Sequence, residues 1–540
     1  MARNFDYIVV GAGSAGAVVA ARLSEDPAVS VLLLEAGGWD RQLMLRMPLG
    51  FHSTRYPETN WHYETEPEPH LGGRVLPLPR GKVIGGSSTV NAMVYSRGHP
   101  RDYDLWRQAG CTGWSHAEVL PYFKRSEANF RGAGPYHGGD GPMAVSRMET
   151  SRLLYEPVAE AARRLGYAIT EDHHGAEPEG FGKAEATTGK GRRASTARAF
   201  LYPARRRPNF TIELGALTTR VLIENGRATG VEYRRNGERQ TARAAREIVL
   251  AGGAYNSPQL LMLSGIGPAD ELRRHGIPVV ADLPGVGRNL SEHAAVFIHY
   301  ATSRPVSLLN ELRFDRVAVS LLRWLAFGTG VFASQGTSCH ALIRTRPELE
   351  RPDIQIFFNP VRLDARVWFP GIRPVQQHQI NATIILLHPE SRGRLRLRSA
   401  DPMAPPRIVL NLLAERGDAA TLIRGLRAAR RVYATEPLAG LVARELAPGA
   451  EAASDEALDA YLRRSLVTSH HPVGTCSMGE GPNSVVDPQL RVRGIAALRV
   501  ADASIMPTVP GGNTNAPAIM VGEKAADLIR GRALPPATAA

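Results

Sequence analysis

Residues Phe5 to Gly37 read FDYIVVGAGSAGAVVAARLSEDPAVSVLLLEAG, and this stretch decides the fold. The apolar run Tyr7 to Val10 leads into a glycine-rich turn, and a helical pattern rich in alanine and valine follows. A second apolar run then ends at Glu35, about twenty residues beyond the turn. Strand, glycine turn, helix, strand and acid in this order are typical of a dinucleotide-binding unit.

The glycines of the turn have separate physical tasks. Gly11 allows a tight turn, Gly13 lets the backbone approach a pyrophosphate, and Gly16 lets helix and strand pack closely. The amides at the start of the helix carry partial positive charge and would face the phosphates, and Glu35 would accept hydrogen bonds from a ribose hydroxyl pair. The motif alone does not separate FAD from NAD, and a merely structural turn is the competing interpretation. Glu35 disfavours a 2′-phosphate, because two anions would then face each other.

The composition is that of an ordinary globular protein. A chain of 540 residues is long enough for two or more domains, and its 43% apolar and 22% charged content argues against disorder. The net charge of +13 could indicate a nucleic-acid or membrane partner. The basic residues are scattered, however, and only five are lysines. We therefore expect no nucleic-acid partner.

One arginine series stands out, because Arg392, Arg394, Arg396 and Arg398 recur with period two and would share one face of a strand. A solvated sheet face is the favoured interpretation, and loose membrane association through that face is the alternative. The three dispersed cysteines suit a reducing compartment rather than a disulfide framework or a metal site. Met1 to Asn4 lead straight into the first strand and leave no room for a signal peptide, and no apolar run has membrane-spanning length. The sequence predicts a cytoplasmic protein.

Later segments return to the nucleotide unit. Glu247 to Leu250 is a buried-strand pattern that opens onto glycines, with Ser257 as the expected N-cap of the next helix and Pro258 as its first residue. Leu498 to Ala501 is a short strand that ends at Asp502, and Asn515 is the expected cap of the last helix.

Two other regions have strand patterns. Short runs at 209–214, 221–223 and 230–233 predict a small antiparallel unit inserted into the nucleotide domain. From about Phe297 to Leu466, strand-like runs are joined by proline-rich loops and flanked by helices, and no phosphate-binding loop occurs. We predict a second domain there, built on an antiparallel sheet that forms a substrate wall.

Two carboxy-terminal residue types suit alcohol chemistry. His471 lies in the segment SHHPVGTC, and a histidine can accept a proton near neutral pH, which an alcohol must lose as its carbon gives up hydride. Asn513 lies in GGNTNAP, and its side-chain amide can donate a hydrogen bond. Alone, either would be unremarkable, since most histidines are structural and the asparagine could simply make a turn.

The motifs together carry a family resemblance. Gly81 to Asp104, which includes GKVIGGSSTVNA, resembles the first signature of the glucose-methanol-choline (GMC) flavoprotein oxidoreductases, and Gly252 to Gly267 resembles the second. The His-Pro-x-Gly-Thr element at His471 is similar to the active-site motif of that family. Asn513 falls at its second active-site position, which implies that its amide donates to the substrate oxygen. With the amino-terminal fingerprint, the resemblance covers nearly the whole chain.

The resemblance implies an α/β fold with an FAD-binding, Rossmann-like nucleotide domain and an α+β substrate domain. The implied nucleotide domain comprises residues 1–155, 195–296 and 467–535, and the implied substrate domain comprises 156–194 and 297–466. It places the pyrophosphate at Gly13, Ser14 and Ala15, the ribose on Glu35, the adenine at Thr218, and the flavin near Ser87, Asn91, Ala92 and Val94. The other implied cofactor contacts are Gly11, Gly16, Ala36, Asp502, Ala503, Asn513 and Thr514. Some members attach FAD through a histidine where Val90 stands here, so a noncovalent flavin is expected.

The implied reaction is the oxidation of a primary alcohol to an aldehyde. His471 would remove the hydroxyl proton while hydride passes to flavin N5, and the flavin would be reoxidised by oxygen or by a quinone-type acceptor. The oligomeric state is left open.

Three alternatives are weighed against a neutral alcohol substrate. Members that use choline carry a glutamate in a segment that corresponds to Phe332 to Ile343, which contains no acid here, so choline ranks second. Hydroxynitrile lyases and photodecarboxylases share the scaffold, but the photodecarboxylases place a cysteine-arginine pair where Leu387-His388 stands. An NAD-linked dehydrogenase would share only the first fingerprint.

Overall fold

The structure of the chain is a computed structural model that describes residues 3–53, 57–148, 151–362 and 364–538. Its helices are α1 (Ser14–Leu23), α2 (Pro100–Gln108), α3 (His116–Ser126), α4 (Ser151–Arg164), α5 (Tyr202–Ala204), α6 (Gly253–Leu263), α7 (Ala269–Arg274), α8 (Phe314–Phe327), α9 (Arg416–Tyr433), α10 (Asp455–Ser465) and α11 (Asn515–Ile529).

The strands are β1 (Arg3–Val10), β2 (Val31–Glu35), β3 (Tyr63–Glu64), β4 (Pro77–Leu78), β5 (Glu127–Asn129), β6 (Met143–Arg147), β7 (Gly180–Gly182), β8 (Glu185–Ala186), β9 (Thr188–Gly189), β10 (Arg192–Arg193), β11 (Phe210–Leu214), β12 (Ala216–Glu224), β13 (Arg227–Arg235), β14 (Glu238–Leu250), β15 (Ile266–Gly267), β16 (Ala281–Asp282), β17 (Ala294–Thr302), β18 (Cys339–Ile343), β19 (Ile354–Asn359), β20 (Gln379–Leu386), β21 (Arg394–Arg396), β22 (Arg407–Val409), β23 (Val442–Ala447), β24 (Val467–Thr468) and β25 (Leu498–Val500).

The first of two seven-stranded sheets contains the amino-terminal fingerprint. Strands β11, β2, β1, β14 and β25 lie side by side and run parallel. The registers pair Val10 with both Leu34 and Leu250, and Leu250 with Val500. Buried parallel strands need cover on both faces, which explains their continuous apolar runs. Since parallel strands end at one edge, the residues that follow the ends of these five strands meet there.

The antiparallel unit predicted between residues 209 and 233 is only partly correct. Strands β12 and β13 do pair antiparallel, with Val221 opposite Val231, and β13 pairs with the first half of β14. Strand β11, in contrast, pairs parallel with β2 and forms the edge of the main sheet. The alternation of β11 is that of an edge strand, and sequence alone does not separate parallel from antiparallel edges.

The second seven-stranded sheet follows the order β23, β17, β20, β19, β18, β7, with β24 also paired to β17, and its pairs are antiparallel. Alternate residues point to opposite faces of such strands. On one face, Ile298, Ile356 and Ile384 are buried in the main core, and α9 covers them closely: a Cβ on Gly425 would lie 2.8 Å from Ile384. The opposite face borders a cavity.

Candidate active site

One cavity of about 1070 Å³ lies between the edge of the parallel sheet and the open face of the antiparallel sheet. Every residue predicted to bind the cofactor lines it except Gly16, and His471 and Asn513 line it too. Small-molecule sites usually measure ~300 to 1000 Å³, so this cavity has room for a dinucleotide and a substrate. Sequence elements some 500 residues apart converge on it.

Two helix amino termini meet at the predicted pyrophosphate position. Helix α1 begins at Ser14 and α11 at Asn515, and the Ser14 hydroxyl donates a 2.8 Å hydrogen bond to Oδ1 of Asn515. A Cβ on Gly13 would meet nothing within 4 Å, so this position is open toward the cavity. Both helix ends present free amides and partial positive charge, which favour a phosphate.

Gly16 has a packing task instead. A Cβ at this position would lie 2.0 Å from the carbonyl oxygen of Gly11 and 2.8 Å from Cβ of Ala251. The glycine therefore lets α1 lie against the ends of β1 and β14, as expected, but it does not line the cavity.

Glu35 has the geometry of a ribose acceptor. Its two carboxylate oxygens accept hydrogen bonds from the backbone amides of Ala12 (2.9 Å) and Gly37 (2.8 Å). Burial raises the pKa of this carboxyl to about 7, against the lowering effect of these amides and of Lys82. Each oxygen can accept a further bond, which a ribose hydroxyl can donate.

An unpartnered polar atom marks the adenosine end. Oγ1 of Thr218 is buried and has no hydrogen-bond partner among the described residues. Thr218 lines the cavity together with the two preceding residues, Ala216 and Leu217. Buried hydroxyls are normally paired. This atom, the open position at Gly13 and the amide-bound Glu35 fit the adenosine diphosphate half of FAD.

The first signature forms the wall at the other end of the cavity. Ser87 accepts a hydrogen bond from the Gly81 amide, and Oδ1 of Asn91 accepts one from the Met93 amide. Arg193, which sequence reasoning missed, binds the carbonyl and Oδ1 of Asn91 from behind. Burial lowers the pKa of Arg193 to about 9. These protein contacts hold the loop in place independently of a bound flavin.

Asp502 organises the turn beside this wall. Its Oδ2 accepts bonds from the Gly253 amide and the Ser257 hydroxyl, and its Oδ1 accepts one from the Ser504 amide. The expectation that Ser257 caps a helix is wrong, because α6 begins at Gly253 and Ser257 lies one turn inside it. The Ser257 side chain binds Asp502 instead, which a local capping pattern does not reveal.

The cap assigned to Asn515 is also wrong. Thr514 is the residue that precedes α11, and its side chain makes no capping hydrogen bond, whereas Asn515 is already helical. The amide of Asn515 is used for the bond to Ser14, a partner far away in sequence.

The protonation of His471 follows from a chain of three groups. Nε2 of His293 is 3.0 Å from the carbonyl oxygen of Leu387, which only accepts, so this nitrogen carries the proton. Burial lowers the pKa of His293 to about 3, so the ring is neutral and its Nδ1 is an acceptor. That atom is 3.0 Å from Nδ1 of His471, which must donate. Nε2 of His471 is therefore left with a lone pair.

The lone pair of His471 faces the predicted second active-site residue. Nδ2 of Asn513 lies 3.1 Å from Nε2 of His471, and Nε2 of Gln355 donates to Oδ1 of Asn513 at 3.5 Å. The latter contact directs the amide nitrogen of Asn513 toward His471. Burial, together with the nearby His293 and Arg80, holds the pKa of His471 well below its ordinary value. The imidazole is a neutral acceptor at neutral pH.

Sequence reasoning missed Glu292 as well as His293. Oε1 of Glu292 accepts a 2.6 Å hydrogen bond from the His471 amide, and burial raises the pKa of this carboxyl to about 7. The two residues follow the glycine-containing turn at Gly285 to Gly287. A signal was present, because an acid and a histidine stand directly before the apolar run of β17.

His470 occupies a strained turn position. Its backbone has φ of 63°, its carbonyl accepts a bond from Arg80, and its Nδ1 is 2.9 Å from the Thr468 hydroxyl. It lines the cavity as His471 does.

The substrate wall consists of alternate residues of the antiparallel sheet. Phe297, Thr383 and Phe357 stand opposite one another on β17, β20 and β19. The cavity-lining residues of these strands are Ala295, Phe297, Phe357, Asn359, Thr383 and Ile385. The acids among the described lining residues are Glu35, Asp502 and Asp364, of which Asp364 is exposed and paired with Arg362. The wall beside His471 is apolar, with neutral polar groups.

Comparison with family models settles the relationship. Two models described as GMC oxidoreductase match residues 5–295 and 389–522. The chain belongs to the GMC oxidoreductase family. The curated proteins to which this chain is similar include the mitochondrial choline dehydrogenase of Mus musculus, which is 45% identical over 98% of this chain and 90% of the relative. The oxygen-dependent choline dehydrogenase of Chromohalobacter salexigens is 44% identical over 98% and 96%.

Solved structures of GMC-like enzymes superpose closely. A pyridoxine 4-oxidase from Mesorbium loti is 32% identical with a TM-score of 0.86, and the match covers 97% of this chain and 98% of that one. A variant of formate oxidase from Aspergillus oryzae RIB40 is 28% identical with a TM-score of 0.91, over 98% of both chains.

These comparisons confirm several predictions. The chain has the GMC fold, uses FAD and is an oxidoreductase that acts on alcohols. None of the helices in the described part of the chain has the length and apolar character to cross a bilayer.

Proposed function

We propose that this enzyme oxidises a neutral primary alcohol to an aldehyde, with His471 as the base. The observation that carries the proposal is the unprotonated Nε2 of His471, which is held in that state by His293 and lies beside the Asn513 amide in the cavity. A general base must be unprotonated and within hydrogen-bond reach of the proton that it removes. Both conditions hold for a hydroxyl group that reaches Nε2 of His471 from the cavity and replaces its 3.1 Å contact with the Asn513 amide.

The two polar side chains have complementary roles. FAD, when bound in this cavity, supplies the acceptor for the hydride that the alcohol carbon releases. Nε2 of His471 takes the hydroxyl proton, and Asn513 donates to the same oxygen as negative charge develops on it. The fixed network around them lowers the cost of orienting these groups during the reaction.

A neutral substrate is favoured over choline by charge. A quaternary ammonium group is best recognised by a carboxylate or by an aromatic cage. The substrate wall offers the aromatic rings of Phe297 and Phe357 beside the neutral Asn359 and Thr383. It offers no unpaired carboxylate among the described lining residues, because Asp364 is already paired with Arg362. Choline is the second candidate, because choline dehydrogenases are 44 to 45% identical over 98% of this chain.

The remaining parts of the proposal concern the cofactor and the domains. Val90 lines the cavity and has no group that could bond covalently to a flavin, which supports noncovalent FAD. Residues 1–155, 195–296 and 467–535 would form the FAD-binding domain, and residues 156–194 and 297–466 the substrate domain. This division is supported by the split of the cavity wall between the two sheets.

The acceptor and the location complete the proposal. Oxygen or a quinone-type compound would reoxidise the flavin. The free, buried Cys111, Cys339 and Cys476 suit the cytoplasm, where thiols stay reduced.

A comparison of two isosteric alcohols tests the substrate class. Choline and 3,3-dimethylbutan-1-ol differ in a single atom and in charge. We expect the neutral alcohol to bleach flavin absorbance faster, without oxygen and without light, at low substrate concentration. Faster bleaching by choline would make choline the substrate, and bleaching that needs light would argue for photochemistry. Repeating the assay with oxygen and then with a soluble quinone identifies the acceptor.

A further inference from the structure

A group of large apolar side chains is exposed on the substrate side of the molecule. Helix α8 exposes Phe314, Val319, Leu322, Leu325 and Phe327, and the loop between β19 and β20 exposes Val367, Phe369, Ile372 and Val375. We call these nine residues the apolar ridge. Leu322 is 68% exposed, Phe327 77% and Ile372 84%. An apolar group of this size on a folded protein normally marks an interaction surface.

The helix and the loop are joined into one unit. The Phe314 amide donates to the Trp368 carbonyl, the rings of Phe314 and Phe369 meet edge to face at 6.2 Å, and the Trp368 indole donates to the Leu309 carbonyl. Trp324, on the inward side of α8, is buried and donates to the Gly191 carbonyl. These contacts fix the inner side of the helix and of the loop, so the apolar ridge stays exposed.

The charges around the ridge are almost all positive. Residues 313–327 and 362–375 contain six arginines and two aspartates, and the aspartates, Asp315 and Asp364, are paired with Arg313 and Arg362. Within the described residues, no ion pair neutralises Arg316, Arg323, Arg366 or Arg373. An exposed helix that carries large apolar side chains and unpaired arginines is the pattern of a segment that lies in the surface of an anionic membrane.

The same charges disfavour a second copy of the chain as the occupant. A two-fold interface would bring the same patch of each copy together. The unpaired arginines would then face arginines, and both acids of the patch are already used. An anionic bilayer offers an apolar interior for the exposed side chains and negative headgroups for the arginines.

We propose that the apolar ridge docks the enzyme on an anionic lipid bilayer, with the cavity mouth close to the membrane surface. Gln335, Gly336 and Thr337 follow α8 closely in the chain and line the cavity, and the exposed Asp364 lines it shortly before the loop of the ridge. Docking would place the mouth where lipid-soluble alcohols or acceptors are concentrated. This surface differs from the arginine series at and beside β21. In that series Arg392 donates a hydrogen bond to Asn289, and Arg398 pairs with Glu66.

Vesicle flotation of the flavin-loaded enzyme tests the proposal. We expect the protein to float with vesicles that contain phosphatidylglycerol, and less with pure phosphatidylcholine or at high salt. Leu322→Glu combined with Phe327→Glu should reduce the bound fraction at least tenfold, and Ile372→Glu should act in the same direction from the loop. Val280→Glu is the matched control, since Val280 is 43% exposed and lies outside the ridge.

The charge component has its own pair of variants. Replacing Arg316 and Arg323 by glutamine should weaken binding to anionic vesicles, whereas the same change at Arg394 and Arg396 should leave it unaltered. Flavin content and oxidation of a water-soluble alcohol report folding in every variant. The proposal is overturned if the wild-type protein does not float, or if the ridge variants float as well as Val280→Glu. It is also overturned if sedimentation shows that the ridge holds a dimer.

Discussion

The two walls of the cavity are built on different principles. The nucleotide wall uses backbone amides, glycines and helix ends, and its side-chain contacts are few: Glu35 and Ser14 are held in place by other protein groups. The substrate wall uses alternate side chains of an antiparallel sheet, such as Phe297, Phe357 and Thr383. The first wall therefore depends on where side chains are absent, and the second depends on which side chains are present.

The largest effect is expected where the nucleotide wall loses a glycine. Gly16→Val places atoms within the 2.0 Å gap to the Gly11 carbonyl oxygen, so we expect purified protein without bound flavin and with a lowered melting temperature. Gly38→Ala is the control, because a Cβ there meets nothing within 4 Å. If Gly16→Val retained a full complement of FAD, close packing at this turn would not be required.

Loss of the base should separate binding from chemistry. His471→Ala is expected to keep FAD, because the cofactor contacts lie elsewhere, and to slow flavin reduction by alcohols ~10²- to 10⁴-fold, the usual contribution of a general base. Stopped-flow absorbance measures this rate. His470→Ala should cost only a few-fold. Equal losses in the two variants would show that the slower flavin reduction comes from a disturbed turn rather than from loss of the His471 imidazole.

His293 should act through His471. His293→Phe removes the acceptor for Nδ1 of His471 and frees the ring to adopt the other tautomer, so we expect a loss of on the order of 10²-fold in kcat, in the range caused by a misplaced catalytic group. Flavin content should not change. In His293→Asn a side-chain oxygen can again accept from His471, and part of the rate should return. If the two variants behaved alike, His293 would have only a packing role.

The substrate wall should respond in selectivity rather than in rate. Asn359→Asp keeps the shape of the side chain and adds a negative charge to the cavity, so the kcat/KM for choline relative to 3,3-dimethylbutan-1-ol should rise about tenfold, or ~1.4 kcal/mol. Asn359→Leu is the uncharged comparison. An unchanged ratio in the aspartate variant would mean that Asn359 lies away from the bound alcohol.

The smallest effect is a change in pH dependence. His471 stays neutral through the ordinary histidine range, whereas the pKa of Glu292 is raised to about 7. Above that pH the ionised carboxylate favours the positive charge that His471 gains on taking a proton, so kcat/KM should rise as pH increases through about 7. Glu292→Gln should flatten this rise. A rise that survives in the variant must come from another group.

The contrast between the walls also explains what the sequence could predict. The positions of Gly11, Gly13 and Glu35 follow from one local pattern, because strand, turn and acid are contiguous in the chain. His471 and Asn513 were found through a family resemblance, and His293 and Gln355 were missed, because their roles depend on contacts between distant segments. The caps at Ser257 and Asn515 were wrong for the same reason: each side chain binds a partner more than 200 residues away.

The parallel sheet has a consequence for how the enzyme is made. Its strand β25 and the helix α11, which packs beside α1 through the Ser14 to Asn515 bond, belong to the last tenth of the chain. A nascent polypeptide on the ribosome thus contains the glycine turn long before it contains the segment that completes the dinucleotide-binding site. We therefore expect flavin loading to follow the synthesis of this segment, and a product that stops short of α11 should be colourless.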